Sequence, residues 1–374
     1  MTRILTHCAI ATLLAAVPTT CLAGKVMEKT QEGDPEIKSI NVISFAPEGI
    51  LLIGDGRGSQ VIAVDTGDRS PQGKTFQPIS DIDKELAARI GANPNGIEIV
   101  DMAVNPASGI AYIAARKQDD KSNVVFTVTP QGTINLLDLE SVKYARVTLA
   151  SGKASISIIT DVAWAESQIV ASARSSESFS SKIFSIPVPL SQDTESRVFS
   201  AETYHVSHGR WETKAPMSVL IPVTENDQTY IVGAFSCTPV VKYNINAIKP
   251  GATVKGTSMI ELGKGNRPID MFVYEKDGKP FVLANTFRFH HSRKPFGPSP
   301  YWTVKFQQGL LVGSDTVNEN AVRRLTSGYQ PATDRIEMVE AYHGVMQMDR
   351  FGSTQSLALR DTSKGLQLVA LPLP

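Results

Sequence analysis

Apolar and polar positions alternate in short runs that recur along the chain. Residues 39–66 read SINVISFAPEGILLIGDGRGSQVIAVDT and residues 98–129 read EIVDMAVNPASGIAYIAARKQDDKSNVVFTVT. SIITDVAWAESQIVASARSSESFSSKIFSIPV (157–188) and MSVLIPVTENDQTYIVGAFSCTPVVKYNI (217–245) repeat the pattern, and PIDMFVYEKDGKPFVLANTFRF (268–289) opens a fifth copy. Each copy predicts a short apolar strand, a turn, a second apolar strand, a loop and an alternating third strand, with PEG, NPASG, ENDQ and KDG as turns. Copies start roughly 52 to 60 residues apart, a period that belongs to propeller blades. A blade has two apolar faces and buries both against neighbours, which suits near-continuous apolar strands such as ILLIG and AYIAA. The fold expected is all-β, a propeller of about six blades, with five or seven as alternatives. The best helical signal, ISDIDKELAARIG (79–91), reads as an excursion between blades.

On the segments Asp101-Met-Ala-Val-Asn-Pro-Ala-Ser-Gly and Ala111-Tyr-Ile-Ala, the chain resembles secreted bacterial β-propellers related to the YVTN and quinoprotein-amine-dehydrogenase-like groups. Those groups include lactone hydrolases, redox-enzyme subunits and binding scaffolds, so the resemblance implies the architecture and leaves the activity open.

The end of the chain departs from the repeat. After the strand 281–285 the next strand in register is expected at Gly344-Val-Met-Gln-Met-Asp, which makes residues 287–342 an insertion capping one face. The alternative is a degenerate blade built from YWTVKF, GLLVGSD, AVRRLT and IEMVEAY.

Residues 1–23 read as a secretory signal: Arg3, then an apolar stretch from Cys8 to Val17, then Cys21-Leu22-Ala23. The expected mature chain starts near Gly24, is secreted or periplasmic, and has no apolar run long enough to span a bilayer. A lipid anchor on Cys21 fits poorly with Pro18-Thr19-Thr20 before it. Cys237 is then the one cysteine left, so no internal disulfide forms and the core must hold the fold. The balance of 37 basic and 37 acidic residues argues against nucleic acid or an anionic membrane as partner and leaves a protein or small-molecule ligand.

Asp101, Asp161 and Asp270 each begin an innermost strand, and Arg116 and Arg174 each end the neighbouring second strand; the fifth copy has Asn285 there, followed by Arg288. Each aspartate either pairs with its arginine or caps a backbone amide and stitches blades, or the three form part of a carboxylate ring for a cation or polar ligand. The ring is incomplete, with Val42 and Ser218 at the matching positions. His205, His208, His290, His291, His343 and Cys237 map to loops on that same face. Imidazole and thiolate there admit a zinc or copper site, with calcium the other metal expected, although the spacings match no signature. Cys237 reads as a buried filler or, with a nearby base, a nucleophile. GDGRG (54–58) lies between two strands with no helix after it and reads as a hairpin turn rather than a phosphate cradle.

FRFHHSRKPFGPSPYW (287–302) combines Phe287, Phe289, Phe296, Tyr301 and Trp302 with Arg288, Arg293 and Lys294. Aromatic residues beside arginine are common binding hot spots, and a small satellite core is the other reading. The function that follows is a binding module presenting one capped face, with Arg288, Tyr301 and Trp302 beside the aspartates. Two alternatives stand: a metal-assisted lactone or ester hydrolase using the histidines and Asp270, and a redox-complex subunit whose cofactor sits on a partner.

Overall fold

The computed structural model describes residues 25–150, 155–177, 180–236, 238–246, 249–292, 297–313, 317–326 and 330–374. The signal-like residues 1–23, Cys237, Arg293, Lys294 and Phe296 lie outside these residues. Six sheets form a six-bladed β-propeller, and we number the blades by the chain order of their innermost strands: Val42–Ala46, Ile97–Val104, Ile156–Ala165, Met217–Glu225, Asn266–Lys276 and Val345–Phe351. Among the described residues no helix is long and apolar enough to cross a membrane.

The blades do not follow one another around the ring in chain order. The first innermost strand packs between those of the second and third blades, and the second blade sits between the first and the sixth, giving the circuit 1-3-4-5-6-2. The connections show how. After its third strand (Gln60–Asp65) the chain leaves the first blade, whose fourth strand comes only later in the sequence. The chain crosses to the sixth blade, where Ile79–Ser80 pairs with Gln367 and Leu368 of its last strand. The helix Ile82–Arg89 follows, burying Ile82 and Leu86 between the sixth and second blades. Once the second blade is complete, Val142–Thr148 returns to pair with Gln60–Asp65 and closes the first blade.

Each junction has its own apolar core, because alternate residues of a strand face opposite neighbours. Leu52 and Ala63 face the third blade with Ile159 and Phe184, whereas Leu51 and Ile62 face the second with Tyr112 and Val125. Separate clusters fill the junctions 2–6, 4–5, 3–4 and 5–6. The core is therefore six interfaces arranged around a central channel of about 280 Å³.

The fifth blade corrects the expected insertion. Tyr301–Gln307 is its third strand, paired with Phe281–Phe287, and Ile336–Met338 is its fourth. Val345–Phe351 is the innermost strand of the sixth blade, not a late third strand of the fifth. The excursion is shorter and lies between the third and fourth strands. Within it, Val322–Arg323 adds a parallel edge strand to Ile260–Glu261 of the fourth blade. YWTVKF and the start of IEMVEAY look like a weak blade of their own because they are true propeller strands separated by this detour. GDGRG is the hairpin turn expected, with fully buried Asp55 accepting from Ser39, Lys38, Gly58 and Gln60.

Candidate functional site

The aspartates of the innermost strands line the central channel. A bulge next to Asp101, Asp161 and Asp270 breaks the local ladder and turns the side chain toward the adjoining blade. Asp101 Oδ2 accepts the amide of Ile43 at 2.7 Å, Asp161 that of Leu220 at 2.7 Å, and Asp270 that of Met348 at 2.8 Å. A fourth carboxylate, Asp349, lies two residues further along its strand and accepts from Val104 at 2.8 Å. All four reach to the next blade in the same sense around 1-3-4-5-6-2. Asn41 does the same from the first blade to the third, accepting from Ile159 at 3.3 Å.

The carboxylates thus stitch blades, one of the two roles expected of them, and they do so without arginine. Arg116 lies 3.7 Å from Glu98 of its own blade, and Arg174 is exposed. Asn285 is fully buried and bridges the backbone of Asp270 to Val345 of the sixth blade. In the fourth blade the residue in register with Asp161 is Val219 rather than Ser218, which sits on the bulge. Burial raises all four channel carboxyls, and repulsion from neighbouring carboxylates adds to it at Asp101, Asp161 and Asp270: Asp101 rises to about 8, Asp161 to about 7, Asp349 to about 6, and Asp270 well above its ordinary value.

The rim of the fourth, fifth and sixth blades holds a different chemistry. Arg288, at the end of a second strand, places its guanidinium 4.6 Å from the Trp302 ring centroid, and Arg324 lies 5.2 Å from the same ring. Trp302 is buried because it stands in a central strand of the fifth blade, with its indole N–H donating to the Ser299 carbonyl at 2.8 Å. The edge strand Val322–Arg323 delivers Arg324, which is only 4 % exposed. Its Nη1 is buried without a hydrogen-bond partner, and burial followed by the charge of Arg288 lowers its pKa to about 10. His343 packs 6.1 Å from Trp302 with Nε2 buried and unpartnered, and burial lowers its pKa. Outside this core, Phe287 packs at a tilt against Tyr301 and meets edge-on Phe289, which is 46 % exposed, while Arg267 lies over both phenylalanines.

No family model and no curated protein matches the chain. Many solved structures resemble it weakly, and three illustrate the likeness. They are Chaetomium thermophilum Raptor (10 % identity, TM-score 0.39, covering 92 % of this chain and 29 % of that one), Bacteroides ovatus xyloglucan PUL GH43B (8 %, 0.36, 73 % and 52 %) and a Cellvibrio cellulosa α-L-arabinanase mutant (12 %, 0.32, 75 % and 92 %). The chain thus spans less than a third of the first and about half of the second. At these scores the likeness says nothing of function.

The five candidate histidines do not form one site. His205 and His208 meet each other and Glu212, a residue that sequence spacing does not single out. His290 is exposed in a turn, His291 follows it with Nδ1 buried and unpartnered, and His343 belongs with Trp302. Among the described residues no second group of three metal-type ligands converges. Arg324 is likewise silent in the sequence: AVRRLT carries no motif, and only the edge strand shows where the arginine goes.

Proposed function

We propose that the protein is a binding module that takes an anionic group of a protein or small-molecule ligand at the Arg288–Trp302–Arg324 rim. One observation carries this reading: Arg324 is a buried guanidinium with an unpartnered Nη1, and the charge of a second guanidinium, Arg288, acts on it. A buried charge is costly unless paired, and arginine offers a planar set of donors suited to carboxylate or phosphate. An incoming anion would supply the missing counter-charge, and the rim aromatics Phe287, Phe289 and Tyr301 would hold the rest of the ligand. The YVTN-like resemblance and the signal-like residues 1–23 support a place of action outside the cytoplasm.

The test is titration with inorganic phosphate, sulfate and citrate, followed by tryptophan fluorescence and thermal unfolding. Saturable binding by at least one of them, lost in Arg324→Gln while that variant still folds, is the expected result. No response to any of the three, or an equal response in the variant, overturns the assignment.

A further inference from the structure

His205 and Glu212 are brought together by a small hairpin on the outermost strand of the third blade. Arg197–His205 turns through Val206–Gly209 into Arg210–Glu212, with Thr203 opposite Glu212 and His205 opposite Arg210. Glu212 is therefore the diagonal neighbour of His205 on one face, within reach of a long side chain. The turn folds His208 back over the pair, its backbone amide donating to the His205 carbonyl at 3.0 Å. His208 Nδ1 lies 2.7 Å from His205 Nδ1 and 2.7 Å from Glu212 Oε1, and His205 Nδ1 lies 3.3 Å from Glu212 Oε2.

Protons alone do not satisfy this arrangement. If both Nδ1 atoms carry a proton, two N–H groups face each other at 2.7 Å; if only His208 does, two acceptors share it; and if His208 does not, its lone pair faces the carboxylate. His205 is 4 % exposed, and its Nε2 is buried without a hydrogen-bond partner, so the polar contacts of this ring run through Nδ1. A buried imidazole held this way points Nδ1 at a centre that two further ligand atoms share.

We propose that His205, His208 and Glu212 bind a first-row transition metal, with zinc the natural occupant. Two imidazoles and one carboxylate form a ligand set that zinc takes with a fourth position left open. Ligand atoms on a tetrahedral zinc lie about 3.3 Å apart, given bonds of roughly 2.0–2.1 Å. The 2.7 Å contacts would need to open by only about 0.6 Å, which the turn carrying His208 can supply. The His208 side chain is 45 % exposed, so the open position faces solvent. The other neighbours are Arg210, whose Nε donates to Glu212 Oε1 at 3.1 Å, and Arg323, whose guanidinium donates to the Val206 carbonyl at 3.4 Å. Both charges moderate the affinity without occupying the ligand atoms. This inference is independent of the anion-binding reading, since no residue is common to the two.

The experiment uses the full chain without a histidine tag, stripped of metal and titrated with zinc by calorimetry, with elemental analysis of the dialysed product. One equivalent of zinc should bind, and His208→Ala and Glu212→Gln should each weaken binding about tenfold or more. Both positions are polar and lie off the apolar core, so circular dichroism should show the variants folded. His290→Ala should bind zinc like the parent chain. No zinc binding by the parent chain, or unchanged affinity in both His208→Ala and Glu212→Gln, overturns the proposal.

Discussion

The Asp349 carboxylate accepts the backbone amide of Val104 across 245 residues of sequence, joining the last innermost strand to that of the second blade. Asp101 then carries the same contact onward to Ile43 of the first blade. Replacing Asp349 with alanine leaves a buried N–H without its acceptor, at a cost of about 1–3 kcal/mol. Asp349→Asn keeps an acceptor oxygen and should cost less. Urea unfolding at pH 5 checks both variants; an Asp349→Ala midpoint equal to the parent's would show that the stitch contributes nothing.

The four channel carboxyls set a pH dependence of unusual sign. With the folded pKa values of Asp349, Asp161 and Asp101 raised to about 6, 7 and 8 and that of Asp270 raised well above its ordinary value, they bind protons more tightly in the native state than in the unfolded chain. Their contribution is complete below the unfolded value near 4 and is lost as pH rises through 6 to 8. A tenfold gain in proton affinity on folding corresponds to about 1.4 kcal/mol for an independent site, and coupling makes the total smaller than a sum. Asp55 acts the other way: burial alone would raise its pKa, but hydrogen bonds from Gln60, Lys38, Gly58 and Ser39 hold it below its ordinary value, so its contribution is lost only in stronger acid. Unfolding midpoints should therefore fall from pH 5 to pH 8, and Asp101→Asn should flatten the slope. A midpoint that rises over this range contradicts the assignment.

The ring order 1-3-4-5-6-2 makes a covalent prediction. Lys143 and Asp65 are directly paired across the strands Val142–Thr148 and Gln60–Asp65. Paired antiparallel Cα atoms lie roughly 4.5–5.5 Å apart, inside the range a disulfide spans. Lys143→Cys combined with Asp65→Cys should form a crosslink that peptide mapping detects after mild oxidation. A chain with blades in sequential order would keep these residues apart and show none.

The repeat made the blades visible because each strand must be apolar on both faces, and residues such as Leu51 and Leu52 carry that demand openly. Their order was hidden. No local pattern tells whether Val142–Thr148 closes the second blade or returns to the first, since either partner offers the same edge. The aspartates were recognisable because DMAV, DVAW and DMFV repeat; Asp349 escaped because it sits two residues out of that register. Of the rim site, Arg288 and Trp302 stood out by composition. Arg324 comes from a detour whose destination depends on an edge strand of only two residues. Glu212 was hidden for a similar reason: its link to His205 is diagonal across a hairpin and follows no sequence spacing.

Gly49 is a packing constraint at the junction of the first and second blades. Its φ is +68°, and an added Cβ would stand 2.3 Å from the Asp68 carbonyl oxygen. Asp68 cannot move aside cheaply, because its carboxylate accepts from Asn105, Ser108 and Tyr112 of the second blade. Gly49→Ala should lower stability by about 2 kcal/mol or more, combining backbone strain with the clash. Gly67 shares the positive φ but has open space around it, so Gly67→Ala should cost only about 1 kcal/mol. Equal melting temperatures for the two variants would remove the role given to the Asp68 contact.

Arg324 separates a binding role from a structural one by the sign of a stability change. Its aliphatic stem packs in a shielded site, while Nη1 lacks a hydrogen bond and the adjacent charge is another guanidinium. A structural arginine loses stability when truncated, because it leaves a partner unsatisfied. Here the uncompensated charge is itself the cost, and Arg324→Met keeps much of the volume while removing it. The ligand-free Arg324→Met protein should therefore melt higher than the parent chain, by roughly the few degrees that about 1 kcal/mol confers on a domain of this size. The same variant should lose the thermal stabilisation that an anion gives the parent. A lower melting temperature in the absence of anion would assign Arg324 to the scaffold and take the counter-charge argument away from the rim.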